Sequence, residues 1–283
     1  MPKGSCLCGD ITWEFDGPPS HLVNCHCSMC RKASGAGFVT YAVTAAASFR
    51  FTTGEDKIAH YQSSAGFNRG HCPRCGSVTP DISGDLAVLP AGSVEGDIDH
   101  ELDCHMFVAN KAPWIEITDT APQFDAYPPE FGMEAVASES REPETAGAVG
   151  GSCLCGTVAY EFDPPGDRMV FCHCSRCRRS RGAAHSAQVF VAADRFRWLR
   201  GEDRIGRFKV PDATYYEPSF CRQCGSIAPR IWESGIAMMP AGSLDHDPET
   251  RAAAHIYVDS KAPWFTIGDE VPQFAEMPPE WRR

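Results

Sequence analysis

Three features are missing from this 283-residue sequence, and each absence excludes a class of protein. No apolar run approaches roughly 18 residues, so we expect no transmembrane helix. No segment is rich in Lys and Arg, and the formal net charge is −11, which argues against a general nucleic-acid-binding surface. Residues 1–6 contain no apolar signal-peptide core. We therefore expect a cytoplasmic protein without membrane or nucleic-acid partners.

Long helical periodicity is also missing, whereas short stretches of alternating polar and apolar residues are common. Residues 10–15 (DITWEF) and 157–162 (TVAYEF) alternate in this way, which is typical of strands with one buried face. Gly, Pro and Asp separate the short candidates closely. The further candidate strands are residues 38–43, 49–53, 57–61, 86–89 and 105–108. The pattern predicts a mainly β fold, with one helical turn after Cys30.

Cysteine is abundant, at 15 residues, and its spacing favours metal binding over disulfides. Cysteines one or two residues apart suit chelation, whereas a disulfide across so short a loop would be strained. In a reducing compartment, spaced cysteines are also more often metal ligands than disulfide partners. We therefore predict bound metal, which would stabilise a core so rich in loops.

The sequence contains the same unit twice. The segment 25–30 (CHCSMC) recurs at 172–177 (CHCSRC). The other repeated motifs are GSCLCG at 4–9 and 151–156, Cys-x-x-Cys-Gly-Ser at 72–77 and 221–226, PAGS at 90–93 and 240–243, KAPW at 111–114 and 261–264, and PQF at 122–124 and 272–274. Each unit is far longer than a solenoid repeat. We predict domains at residues 1–132 and 150–283, joined by a linker at 133–149 that is rich in Ala, Glu, Ser and Gly.

Each unit holds seven repeated cysteines, which divide most simply into a group of four and a group of three. Cys72 and Cys75 form a Cys-x-x-Cys-Gly metal knuckle, in which glycine permits a tight turn. A tetrahedral zinc needs two more thiols, and Cys6 and Cys8 are available. The equivalent group in the second unit is Cys153, Cys155, Cys221 and Cys224. A competing partition would pair Cys6 and Cys8 with part of the segment 25–30.

The remaining cysteines form a second predicted metal site in each unit, and we predict that these residues are catalytic. The two groups are Cys25, Cys27 and Cys30 in the first unit, and Cys172, Cys174 and Cys177 in the second. Three protein ligands with an exchangeable fourth are the pattern of catalytic zinc, whereas closed sites are usually structural. The alternative is a closed structural site, completed by His26, His105 or a carboxylate.

The histidines and the fifteenth cysteine have more than one interpretation. We interpret His26, between two ligands, as pointing away from the metal, either beside the site or at the surface. His105 and the equivalent His255 are satisfied core residues in one interpretation, and ligands or catalytic groups in the other. Cys104 has no repeated counterpart, so we expect a buried free thiol.

A zinc ion with three thiolates carries a net negative charge and is a weaker Lewis acid than one held by neutral histidines. Such a centre suits a fourth soft ligand, a substrate thiol held as thiolate, better than it suits activation of water. A fourth thiolate adds negative charge, so we expect basic residues nearby. We predict that those after each third cysteine bind the thiol ligand and its carboxylates: Arg31, Lys32, Arg178 and Arg179. The alternative is that they are ordinary solvated residues.

The order of these motifs resembles the glutathione-dependent formaldehyde-activating enzyme family, which includes centromere protein V. The motifs are Gly-x-Cys-x-Cys-Gly, Cys-His-Cys-x-x-Cys-Arg, Cys-x-x-Cys-Gly, Ala-Gly-Ser and Lys-Ala-Pro-Trp, and they include every repeated cysteine. The resemblance implies a mainly β fold of short coiled sheets, similar to a zinc-binding Rab-exchange chaperone. It also implies a structural zinc at each four-cysteine group and a zinc associated with catalysis at each three-cysteine group. Two zinc ions per domain, four per chain, are therefore expected.

The named activity of this family joins glutathione to formaldehyde, so the resemblance implies a carbon–sulfur lyase acting on a small thiol and an aldehyde. A thiolate held near a carbonyl carbon fits this chemistry. Arg181 stands where the first unit has Ser34, which leaves the ligand preference of the second unit open. The alternative function is a non-catalytic zinc module that binds a partner protein, while the acidic balance disfavours chromatin or RNA association. The units are either two separate active sites or a pseudo-dimer within one chain.

Overall fold

The computed structural model describes residues 1–65, 67–135, 143–214 and 216–281. It is mainly β, as predicted, and its described α-helices are α1 (Ser28–Ser34) and α2 (Ser175–Arg181). The strands of the first unit are β1 (Lys3–Ser5), β2 (Thr12–Phe15), β3 (His21–Cys25), β4 (Val39–Ala45), β5 (Phe49–Thr53), β6 (Ala59–Ser64), β7 (Phe67–His71), β8 (Asp81–Ser83), β9 (Leu86–Pro90), β10 (Val94–Glu95), β11 (Cys104–Met106) and β12 (Gln123–Phe124). Those of the second unit are β13 (Val149–Ser152), β14 (Ala159–Phe162), β15 (Arg168–Cys172), β16 (Ser186–Ala192), β17 (Phe196–Arg200), β18 (Ile205–Arg207), β19 (Ser219–Cys221), β20 (Ile227–Ala228), β21 (Arg230–Trp232), β22 (Ile236–Pro240), β23 (Ala252–Ile256) and β24 (Gln273–Phe274).

Short 3₁₀ helices connect many of these strands. In the first unit they are Ala46–Ser48, Glu55–Lys57, Ala91–Ser93, Val108–Asn110 and Pro129–Phe131. In the second unit they are Ala193–Arg195, Glu202–Arg204, Ala241–Ser243, Val258–Ser260 and Pro279–Trp281. No helix of the described ranges is long and apolar enough to cross a membrane.

Each unit contains a six-stranded sheet with the same strand order. The order is β12-β11-β3-β4-β9-β8 in the first unit and β24-β23-β15-β16-β22-β21 in the second. A smaller sheet contains the strand that leads into the first cysteine motif. This sheet is β10-β1-β2-β5 in the first unit and β13-β14-β17 in the second. The hairpin β6-β7 and the sheet β18-β19-β20 lead into the two metal knuckles. The sheets thus bring the ends of several strands, and the cysteines there, to common points.

Residues of both units share one hydrophobic core. Phe38, Trp114 and Ile115 of the first unit are buried in the same cluster as Phe171 and Tyr160 of the second. The ring centroids of Trp114 and Phe171 are 6.2 Å apart. Burial of apolar surface therefore holds the two units together as well as stabilising each of them.

The PAGS turn of each unit contacts the backbone at the end of the helix of the other unit. The Gly92 N–H donates to the Gly182 carbonyl at 3.4 Å, and the Gly242 N–H donates to the Gly35 carbonyl at 3.2 Å. A Cβ at Gly92 would lie 2.2 Å from the carbonyl oxygen of Ala183. Only glycine permits so close an approach of two backbones.

The predicted strands are present, with ends that shift by one to three residues, and residues 49–53 form β5. The helix differs more, because it begins inside the cysteine segment at Ser28 rather than after Cys30. β11 ends at Met106 because Phe107 has a left-handed backbone, with φ of 60°. The predicted linker includes residues 136–142, which lie outside the described residues. The domain bounds stay a prediction.

Candidate metal centres

Four thiols of the first unit converge on one point. The sulfur atoms of this group lie within 4.8 Å of one another: Cys6, Cys8, Cys72 and Cys75. Cys8 Sγ is 3.4 Å from Cys6 Sγ and 3.6 Å from Cys72 Sγ. A disulfide requires an S–S distance of about 2.05 Å. A tetrahedral zinc with Zn–S bonds of about 2.3 Å instead separates its sulfurs by about 3.8 Å. The spacing therefore suits a four-thiolate zinc.

The second unit repeats this arrangement with Cys153, Cys155, Cys221 and Cys224. Cys155 Sγ is 3.4 Å from Cys153 Sγ and 3.8 Å from Cys221 Sγ. Backbone N–H groups donate to one sulfur in each group, from Ile11 to Cys6 and from Val158 to Cys153. Such bonds favour the thiolate form that a metal needs. Cys6 and Cys8 thus group with the knuckle, and the competing partition with the segment 25–30 is wrong.

The helix positions the three remaining thiols of the first unit. Cys25 ends β3, Cys27 is the N-cap of α1, and Cys30 lies in the first turn of that helix. The Cys30 N–H donates to Cys27 Sγ at 3.3 Å, so a thiol occupies the place that Ser or Asp usually takes at a helix start. Cys172, Cys174 and Cys177 repeat the arrangement on β15 and α2.

Each group of three has no fourth protein ligand among the described residues. Its sulfur atoms lie within 4.8 Å of one another, and within the described parts of the chain no fourth His, Cys, Asp or Glu joins them. The donor set of three thiolates fits zinc with one of its four positions open. Cys104 is buried and belongs to no such group, as expected for a free thiol, and burial raises its pKa to about 11.

His26 points into the protein, so the interpretation as a surface residue is wrong. It is 0% exposed, and its Nε2 lies 2.9 Å from Nδ1 of His105. The Nε2 of His105 lies 3.0 Å from the Asp119 carboxylate, so both nitrogens of His105 have partners. Burial lowers the pKa of His26 to about 3, which keeps the ring neutral at pH 7. This chain of side chains fixes the backbone between two of the thiols.

The second unit has the same chain from His173 through His255 to Asp269. His105 and His255 match the interpretation as satisfied core residues, because both are buried and partnered on both nitrogens. Both also line a cavity of about 230 Å³ between the units, together with Asp119 and Asp269.

Two of the basic residues after the third cysteines, Lys32 and Arg179, form ion pairs with the opposite unit. Lys32 is buried, and its Nζ lies 2.6 Å from both the Asp245 carboxylate and Ser152 Oγ. Arg179 pairs with Glu95 at 3.3 Å. The interpretation as a solvated residue is therefore wrong for Lys32. Both side chains have protein partners, and their contact with a substrate stays a prediction.

The other two predicted basic residues are partly buried. Arg178 donates from Nε to the His173 carbonyl at 3.3 Å and from Nη1 to the Gly92 carbonyl at 3.5 Å. Arg31 has a buried Nε without a hydrogen-bond partner among the described residues. Their contact with a substrate stays a prediction.

The cation that contacts the first group of three thiols is one that the sequence motifs did not indicate. Arg69, in β7, places both Nη atoms 3.6 Å from Cys30 Sγ, and its Nε donates to Ser63 Oγ at 3.1 Å. The Tyr41 hydroxyl lies 3.5 Å from the same sulfur. Hydrogen bonds from Cys25 and Cys27 lower the pKa of Cys30, and the positive charge of Arg69 lowers it further. The position of Arg69 three residues before the knuckle was the available signal.

The fold and the thiol groups together define a class: a mainly β protein of two similar units, each with a four-cysteine and a three-cysteine group suited to a metal ion. The chain belongs to the glutathione-dependent formaldehyde-activating enzyme family, whose model matches residues 1–110 and 148–260. This match confirms the resemblance inferred from the motifs.

Two further proteins are similar to part of this chain. A Halomonas elongata protein named "Putative glutathione-dependent formaldehyde-activating enzyme" is 28% identical over 140 residues, which cover 45% of this chain and 89% of that protein. A crystal structure of a Rhodobacter sphaeroides protein is 24% identical and covers 33% of this chain and 88% of its own, with a TM-score of 0.29.

Proposed function

We propose that the chain is a zinc-dependent carbon–sulfur lyase. It joins a small thiol, with glutathione as the candidate, to an aldehyde such as formaldehyde, or cleaves the resulting S-hydroxymethyl adduct. The observation that carries this proposal is the group of three converging thiols that no fourth ligand joins in the described part of the chain. Membership of the family supports a thiol and an aldehyde as the substrate class.

The three-cysteine groups would each hold one zinc for catalysis, and the four-cysteine groups would each hold one for stability. When bound at the open centre, zinc supplies positive charge that keeps a substrate sulfur in its thiolate form. The sulfur of the thiol bonds to the aldehyde carbon as the carbon–oxygen π bond breaks. The proton that the thiol releases ends on the new hydroxyl oxygen, so the reaction needs no oxidant or reductant.

The chain orients these groups with side chains already in place. The His26–His105–Asp119 chain holds the backbone between Cys25 and Cys27. Tyr41 stays protonated because burial raises its pKa, so its hydroxyl remains a hydrogen-bond donor beside the thiols. The aldehyde therefore meets a thiol whose surroundings are fixed before it arrives, which lowers the entropic part of the barrier.

We further propose that residues 1–132 and 150–283 are two domains that pack as a pseudo-dimer within one chain. The shared hydrophobic core and the two PAGS contacts support this arrangement. A reducing cytoplasmic location would keep the thiols of the open centres from oxidising.

Metal content tests the proposal. Zinc per chain is measured on anaerobically purified protein for the wild type, Cys27→Ser and Cys174→Ser, each with and without glutathione. We expect four zincs in the wild type, one lost per substitution, and slower release of the remaining open-centre zinc to a chelator when glutathione is present. Catalysis is read as the exchange rate of ¹³C-formaldehyde with its glutathione adduct, above the uncatalysed background.

Two results would contradict the proposal in different ways. Four zincs that do not respond to any small thiol would favour the non-catalytic module that binds a partner protein. Two zincs unaffected by either substitution would show that the three-cysteine groups hold no metal.

A further inference from the structure

The two three-cysteine groups have the same thiols but different neighbours. In the first unit, Arg69 and Tyr41 both contact the Cys30 sulfur, at 3.6 Å and 3.5 Å. In the second unit the residue equivalent to Tyr41 is Gln188, whose neutral amide donates to Cys177 Sγ at 3.7 Å. The first centre therefore has a positive charge against its sulfur, where the second has an amide dipole.

The strand register identifies the residue that replaces Arg69. Arg69 pairs with Tyr61 across the β6–β7 hairpin. In the second unit Phe208 corresponds to Tyr61 and Pro218 corresponds to Arg69. The Phe208 N–H donates to the Pro218 carbonyl at 3.1 Å. Proline has no charge and no side-chain donor. The second unit thus lacks a cation at this position.

The second unit has a guanidinium elsewhere, that of Arg181, but it does not donate to a thiol of the three-cysteine group as Arg69 does. Arg181 replaces Ser34, is 3% exposed, and donates from Nη1 to the Ser34 carbonyl of the first unit at 3.3 Å. Its charge reaches Cys177 through space, but its hydrogen bond goes to the contact between the units. Arg69, in contrast, directs both Nη atoms to Cys30 Sγ, and its Nε bond to Ser63 holds it against the first centre.

We propose that the three-cysteine centre of the first unit is the principal thiol-accepting site, and that Arg69 is the residue that determines this preference. The inference rests on the function proposed above. A thiolate that binds adds negative charge to a centre whose three thiolates already exceed the charge of zinc. A guanidinium in contact with that centre offsets the added charge at short range, where attraction is strongest. Gln188 and Pro218 provide no such contact, and Arg181 acts on Cys177 only through space because its hydrogen bond goes to Ser34.

Variants that each keep one open centre test this directly. Cys174→Ser leaves the first centre and Cys27→Ser leaves the second; each is loaded with Co²⁺, whose thiolate charge-transfer absorption increases when a further thiolate binds. The probe is glutathione, and S-methylglutathione, which has no thiol, is the control ligand. We expect the first centre to bind glutathione roughly tenfold or more tightly than the second, the factor typical of a charge-assisted contact.

Arg69→Met in the Cys174→Ser chain is expected to lower glutathione affinity to the level of the second centre, and Arg69→Lys to restore part of it. Arg50→Met removes an exposed arginine that pairs with Glu14 in the same unit, and it should leave the affinity unchanged.

Three outcomes would overturn the inference. Equal affinity at the two centres, with no effect of Arg69→Met, would remove the asymmetry and leave thiol binding intact. Loss of the first-centre metal in both Arg69→Met and Arg69→Lys would make Arg69 a structural residue. An absence of any glutathione response at either centre would refute both this inference and the proposed function.

Discussion

The buried ion pair between Lys32 and Asp245 gives the sharpest prediction about what holds the two units together. The two charged groups are 2.6 Å apart, and their side chains are 9% and 4% exposed. Ser152 bonds to both partners, which satisfies more of their hydrogen-bonding capacity. Lys32→Met would leave the Asp245 carboxylate buried without its cation. Removal of one partner from a buried pair typically costs about 3–5 kcal/mol, so we expect a loss of that size.

Urea denaturation in zinc-replete buffer, followed by tryptophan fluorescence, measures this loss. The double variant Lys32→Met/Asp245→Leu replaces both charges by apolar groups, so its loss should be much smaller than the sum of the two single losses. Arg179→Met is the matched control, because the Arg179–Glu95 pair also joins the units but is 33% and 56% exposed. Exposed pairs contribute about 0–1 kcal/mol. A Lys32→Met loss no larger than that of Arg179→Met would refute the reasoning.

Three further predictions concern stability. Cys75→Ala should release one zinc and abolish most of the cooperative unfolding transition, because a structural zinc contributes roughly 10–16 kcal/mol of apparent binding energy; Cys104→Ala, outside every thiol group, should keep all zinc and cost about 1 kcal/mol. Burial lowers the pKa of His185 to about 4. The contribution of the neutral His185 side chain to the free energy of unfolding is therefore full above pH 6.5 and is lost as the pH falls toward 4. The equivalent residue of the first unit is Phe38. His185→Phe should therefore reduce the acid-induced loss of unfolding free energy by about 3 kcal/mol over that range, measured by urea titrations. An unchanged pH dependence would contradict this. Gly242→Ala would place a Cβ 2.2 Å from a carbonyl oxygen of the first unit and should cost about 1–3 kcal/mol of unfolding free energy, whereas Gly150→Ala, whose nearest contact is 3.6 Å, should not.

The thiol groups could be predicted from the sequence because most of their geometry is local. Cys25, Cys27 and Cys30 occupy the end of a strand and the first turn of the helix that follows it. Their spacing alone brings the sulfurs together. The knuckle and the first motif are distant in the chain, but both repeat, and the number of ligands that a tetrahedral zinc requires was enough to pair them.

The surroundings of the thiols could not be predicted, because they depend on pairings between residues far apart in the chain. Lys32 lies 213 positions from Asp245, and no motif includes that carboxylate. Arg69 contacts Cys30 although 39 positions separate them in the chain. The sequence left His26 either beside the metal site or at the surface, because its hydrogen bond to His105, 79 positions away, could not be predicted. The helix start was missed because a thiol, rather than Ser28, serves as its cap.

The packing of Arg181 against Ser34 shows what fusion of two similar units allows. In an assembly of identical subunits, every substitution appears on both sides of the symmetry axis. An arginine at this place would then meet its own copy, and two like charges would be buried close together. In a single chain one unit can carry the large charged side chain while the other keeps the small residue that makes room for it. Covalent joining thus frees each half to change alone, and a division of labour between two once-equivalent sites becomes open to selection.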